Sequence, residues 1–130
     1  LVHDGVRPFL SKDMIQKTIN IAEKFGAAIT AIPVNDTIKQ VDNSGKVERT
    51  VDREGLWRIQ TPQAFRYDLL GEAFRKAQKH SFYGTDEGAL IENLGQEVRV
   101  VNGSEWNLKI TRPEDLVLGE SIVAKLFPEA

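Results

Sequence analysis

The chain is 130 residues long and 41% apolar, with a formal charge of −2 and no cysteine. That length suits one globular domain, the short apolar runs exclude a membrane-spanning helix, and the amino end lacks the order of a signal peptide. The absence of thiols excludes a disulfide framework and thiolate metal sites, which suits the cytosol. With 17 basic against 19 acidic residues, a general nucleic-acid surface is not expected, so any anion site must be local and built from a few placed side chains.

The chain opens on the apolar pair Leu1-Val2 and continues His3-Asp4-Gly5-Val6-Arg7-Pro8. This reads as a strand whose carboxyl end delivers an acid and a guanidinium, where open α/β sheets bind their ligands. It begins inside that strand without a methionine, so part of a larger enzyme is expected. Met14, Ile15, Ile19, Ala22 and Phe25 recur at helical spacing, with Ser11 as N-cap and Gly26 as the stop. Ala27 to Ile32 is a short apolar run closed by Pro33, a buried strand following a crossover helix, which completes a β-α-β unit.

From Thr37 the pattern alternates to Val41, turns through Asp42-Asn43-Ser44-Gly45, and alternates again from Lys46 to Val51. That is a β-hairpin, too polar and thin to hold a core, and therefore an arm reaching for a partner. Leu56 to Gln60 reads as a strand ended by Pro62; Tyr67 to Lys79 and Asp86 to Leu94 read as helices, the second with Asp86 and Glu87 at its positive end. Glu97 to Val101 and Asn107 to Ile110 are read as strands. Thr111-Arg112-Pro113-Glu114 has the form of a capping box before a final helix through Leu116, Val117, Leu118, Ile122 and Val123 to about Leu126. The whole is one α/β domain with a hairpin inserted.

Five segments carry groups suited to chemistry: Asp4 with Arg7, Asp36-Thr37, Asp52-Arg53, Thr61-Pro62-Gln63, and Asn107-Leu108-Lys109. Cations, hydroxyls and carboxylates at strand ends and at the hairpin base suit phosphate groups and a metal ion. They suit nucleophilic catalysis poorly, because there is no cysteine and neither His3 nor His80 has an obvious serine partner. Each residue alone has a plainer explanation. Asp4 can cap a turn, Arg7 and Arg53 can pair at the surface, Thr61 can simply end a strand, and Lys109 can snorkel. His3 reads as a hydrogen-bonded structural residue and Trp57 and Trp106 as packing residues, though an exposed one could line a pocket; Asp86-Glu87 could bind metal, but helix capping explains them at least as well.

The set in order is more telling. Val2 to Pro8, Pro33 to Lys39, Thr50 to Trp57, Thr61 to Phe65, Thr85 to Glu87 and Asn107 to Asp115 together resemble the 2-C-methyl-D-erythritol 4-phosphate cytidylyltransferases along essentially the whole chain. The resemblance implies a Rossmann-like nucleotidyltransferase fold, here a carboxyl-terminal portion of it over residues 1–130, with a dimerisation arm at about 34–56. It implies CMP transfer from CTP to methylerythritol phosphate with release of pyrophosphate, in non-mevalonate isoprenoid synthesis. It also implies Mg²⁺, a homodimer and a cytoplasmic setting, or the plastid stroma in a plant. Asp4, Gly5, Arg7, Thr61 and Lys109 are expected to line one subunit's site, with Asp4, Gly5 and Lys109 toward the nucleotide and Asp4 near the metal. Thr37 and Arg53 are expected to clamp the substrate phosphate from the partner's arm, and Lys109, Arg53 and Asp4 to be catalytic.

One departure stands beside these matches: the family's glycine-rich loop for the triphosphate belongs to an amino-terminal half absent from this sequence. Such a cradle supplies backbone N–H donors that side chains elsewhere do not replace. The chain alone is therefore expected to bind CTP weakly and turn over nothing. Ribitol-5-phosphate cytidylyltransferase, with the same chemistry on another polyol phosphate, and a non-catalytic dimerisation module are the alternatives.

Overall fold

A computed structural model describes residues 1–128. Its centre is a three-stranded sheet in the order β4-β1-β5, formed by β1 (Ala27–Pro33), β4 (Trp57–Phe65) and β5 (Arg99–Asn102). β1 runs antiparallel to β4 and parallel to β5. Successive strand side chains face opposite sides, so the alanine-rich β1 serves two cores at once. Ala27 joins Ala73, Ala77, Leu90 and Ile91 beneath α2 (Tyr67–Lys79) and α3 (Glu87–Asn93). Ala28 joins Ala22, Ala64 and Val101 beneath α1 (Lys12–Phe25). The result is a helix-sheet-helix sandwich around a strand buried on both faces.

The start of α1 is set by Ser11, whose hydroxyl accepts from the Met14 N–H at 3.2 Å. Its end is set by Gly26 at φ 97°, a conformation that favours glycine, with the Gly26 N–H on the Ala22 carbonyl at 2.7 Å. The hairpin forms as a separate two-stranded sheet of β2 (Ile38–Val41) and β3 (Val47–Val51). Asp42 closes its turn by accepting from the Ser44 N–H, the Ser44 hydroxyl and the Lys46 N–H at 2.8, 2.6 and 3.0 Å. Most of the arm is exposed, as its polar pattern requires.

Five sequence expectations need correction. The opening strand is a single antiparallel bridge, Val2 to Gln63, with two backbone hydrogen bonds of 2.8 and 2.9 Å. It lies beside β4 rather than beside β1, so β4 intervenes in the expected β-α-β unit. Pro62 does not end β4: Ile29 pairs with Gln63 and Thr30 with Gln60, leaving Thr61 and Pro62 as a bulge inside a longer strand.

Residues 107–110 form no strand, because Asn107 turns inward and is fully buried while the Ile110 N–H bonds to the Val6 carbonyl at 2.9 Å. The last helix, α4 (Pro113–Leu126), is capped by Arg112 rather than Thr111. Asp115, not Glu114, reaches back to the Thr111 and Arg112 N–H groups at 2.8 and 2.9 Å. These bonds hold its carboxyl below the ordinary value. Trp57 and Trp106, read as packing residues, are 39% and 44% exposed. On α4 only Gly119 and Ile122 are buried, and Leu116, Val117, Leu118 and Val123 face outward.

Candidate active site

Beside the bulge lies an open cleft of about 900 Å³ whose lining includes Asp4, Arg7, Thr61, Thr85, Asp86 and Lys109. Four separate segments supply it, and three of them, fixed by polar contacts, carry Asp4, Arg7, Thr61 and Lys109. The first is the turn after Val2, closed by the Arg7 N–H on the Asp4 carbonyl at 3.0 Å. Gly5 occupies the exposed tip of that turn, outside the cleft lining.

The second is the β4 bulge, which takes two carbonyls out of the ladder and must give them other partners. The Thr30 hydroxyl donates to the Pro62 carbonyl at 2.7 Å, and the Asn107 side-chain amide donates to the Thr61 carbonyl at 2.8 Å. So anchored, Thr61 turns its hydroxyl to the first segment, where it accepts from the Asp4 N–H at 2.9 Å and meets the His3 Nδ1 at 2.9 Å. The third segment, Asn107 to Lys109, is locked by the same asparagine: its backbone carbonyl accepts from the Arg7 Nη1 at 2.6 Å.

Electrostatics follow from this scaffold. One oxygen of Asp4, Oδ2, faces both Arg7 Nε and Lys109 Nζ at 3.2 Å. Burial raises the Asp4 carboxyl, but hydrogen bonds from Lys109 and Arg7 outweigh it and hold the group below its ordinary value. The two cations differ in freedom. The Arg7 side chain is only 11% exposed and is held at two atoms, whereas Lys109 is 47% exposed and, among the described residues, held by Asp4 alone. Arg7 is thus a fixed charge and Lys109 a movable one, able to leave Asp4 for an arriving anion at little cost.

Across the chain fold, Gln63 joins the site to α3. Buried to 1% exposure, it donates to Asp86 at 2.9 Å and accepts from the Gly88 N–H at 3.2 Å. Asp86 in turn caps α3 through the Ala89 N–H at 2.8 Å, as its sequence position suggested. This places Thr85 on the cleft, a residue lying within a quoted motif but given no role from sequence. The contacts of His3, Gln63 and Asn107 emerge only in three dimensions, because their partners lie up to 100 residues away, although Gln63 and Asn107 stand in segments already singled out. A polar residue standing in a predicted strand, as Asn107 does, was the one signal that pointed inward.

Asp4, Arg7, Thr61 and Lys109 therefore converge on one cleft. Thr37 and Arg53, expected to act from a partner's arm, lie apart from this chain's own cleft: both are exposed on the arm outside the lining, and the Arg53 guanidinium donates to the Asn35 carbonyl at the arm's own base. Among the described residues there is no group of three or more His, Cys, Asp or Glu side chains able to hold a metal by themselves. No described helix is long and apolar enough to cross a membrane.

Residues 1–125 match the family model of 2-C-methyl-D-erythritol 4-phosphate cytidylyltransferase. The chain is 50% identical over 123 residues to the protein of that name from Bacillus thuringiensis, covering 95% of this chain and 54% of the relative. Against that from Syntrophus aciditrophicus it is 46% identical over 125 residues, covering 96% and 53%. A crystal structure of the protein of that name from Thermus thermophilus superposes with a TM-score of 0.87 at 38% identity, over 94% of this chain and 60% of that one. The chain thus spans about half the length of the curated relatives it matches.

Proposed function

The chain belongs to the 2-C-methyl-D-erythritol 4-phosphate cytidylyltransferase family, and from that premise we propose that its cleft handles the polyol phosphate and the α-phosphate of CTP during CMP transfer. The observation that carries this is the pair of cations, one fixed and one movable, held ready on Asp4. An oxygen of the methylerythritol phosphate attacks the α-phosphorus in line, the new P–O bond forms, and the bond to pyrophosphate breaks. The nucleophile is already an anion, so positioning and charge neutralisation supply the catalysis without a strong base.

Lys109 moves from Asp4 to the phosphates and offsets charge gathering between them, while Arg7 stays to hold the turn and its field. Asp4, relieved of Lys109, orients substrate hydroxyls. A single carboxylate is too little for a resident metal site, but it fits Mg²⁺ that arrives on nucleotide phosphates, with Asp4 as the protein's oxygen ligand. When bound, the ion would neutralise the triphosphate.

Thr37 and Arg53 complete the phosphate clamp from a second copy. Their exposure on a polar two-stranded arm outside the cleft supports this, since a hairpin of that size gains stability by packing elsewhere. The enzyme is then a cytoplasmic homodimer with sites shared between subunits. The test is pyrophosphate release from CTP and Mg²⁺ by the protein at the full length of its relatives. Release with methylerythritol phosphate and not ribitol phosphate is expected. Release with ribitol phosphate alone would move the substrate, and silence with both would leave a non-catalytic module.

A further inference from the structure

The hydrogen bonds around His3 determine which way the Thr61 hydroxyl points. The His3 Nε2 lies 2.9 Å from the Arg7 carbonyl, which can only accept, so Nε2 must carry a hydrogen. In the neutral ring Nδ1 is then an acceptor, and its partner at 2.9 Å, the Thr61 hydroxyl, must donate to it. A hydroxyl has one hydrogen and two acceptor positions. The hydrogen goes to His3, one acceptor position is taken by the Asp4 N–H at 2.9 Å, and one remains.

We propose that His3 is a positioning residue that makes Thr61 an acceptor toward the cleft, so that Thr61 recognises a hydroxyl of the polyol and not an oxygen of its phosphate. This rests on the reading that the cleft takes a polyol phosphate. It divides the labour at the site: cations take the phosphates, and Thr61, aligned from behind by His3, selects a ligand that can donate. Among the described residues the ring's two nitrogens meet uncharged oxygens, the Arg7 carbonyl and the Thr61 hydroxyl.

The first test is the His3 tautomer by ¹⁵N-edited NMR on this chain. There are two histidines, so a His80→Gln variant assigns the signals. A neutral ring protonated at Nε2 is expected, and protonation at Nδ1 would overturn the assignment. The second is kinetic, on the protein at the full length of its relatives. Thr61→Val should raise KM for methylerythritol phosphate about tenfold with KM for CTP unchanged. With analogues each lacking one hydroxyl, that penalty should vanish for one of them. His3→Ala should raise the same KM, and His3→Asn, which can return an acceptor near the Nδ1 position, should recover it. A penalty equal for every analogue, or equal rises in both KM values, would overturn the proposal. If the unaltered enzyme does not use methylerythritol phosphate at all, the functional reading fails, while the ring spectrum still decides the hydrogen-bond assignment.

Discussion

Asp4 balances two cations on one oxygen, and its neighbours follow from that arrangement. Its carboxyl is held below the ordinary value of 3.8, so the ion pairs contribute stability above about pH 4 and lose it as pH falls through the folded-state value. Thermal midpoints of the chain and of Asp4→Asn should therefore differ near neutrality and converge in acid. A gap independent of pH would remove the ion pairs from that role. In the protein at full family length, Lys109→Ala should lower kcat roughly a hundredfold or more, the usual cost of a lost transition-state charge contact; an unchanged kcat would exclude Lys109 from the chemistry. These residues were singled out in the sequence because their acids and cations follow a recognisable order, although Asp4 follows only a single bridge and Lys109 lies in no strand. His3 was read as structural, and it is hydrogen-bonded as that reading required, but its partner Thr61 lies 58 residues away and no local pattern names it.

At the level of elements, helices and turns follow local rules and were readable. Ser11 caps α1, Gly26 stops it, Asp42 closes the hairpin and Asp86 caps α3, each within four residues of its partner. The bulge in β4 was not readable. Pro62 signals a strand end in local terms, and only the Thr30 and Asn107 side chains, arriving from elsewhere, satisfy the displaced carbonyls and let the strand continue. Asn107→Ala removes that donor from a fully buried site and should destabilise the fold by about 2–3 kcal/mol, measured by denaturant unfolding. A loss below about 0.5 kcal/mol, within the range of ordinary surface changes, would show that the bulge does not depend on it. Gly103 is a second tight point: a methyl group there would run into the Gln60 side chain and sit 2.9 Å from the Thr30 Cγ2. Gly103→Ala should therefore cost more than about 1 kcal/mol, and a variant as stable as the parent would contradict this packing.

For the whole molecule, the sandwich was legible from alternating strands and helices, while the use of its surfaces was not. The final helix carries apolar residues on several sides, and a run through Leu116, Val117 and Leu118 does not say which of them is covered; the described structure leaves them 55%, 65% and 56% exposed. The arm behaves similarly: its polarity was read correctly, and the structure places Thr37 and Arg53 away from the cleft that Asp4, Arg7, Thr61 and Lys109 build. The proposed division of the site between the cleft of one copy and the arm of another accounts for both.

Subunit complementation tests that division most directly. Arg53→Ala and Lys109→Ala, made separately in the protein at full family length, should each be nearly inactive in CMP transfer to methylerythritol phosphate. After mixing and reassembly, half the dimers should be mixed and each should hold one intact site, restoring about a quarter of the parent activity. No recovery from mixed dimers that demonstrably form would contradict a site shared between subunits.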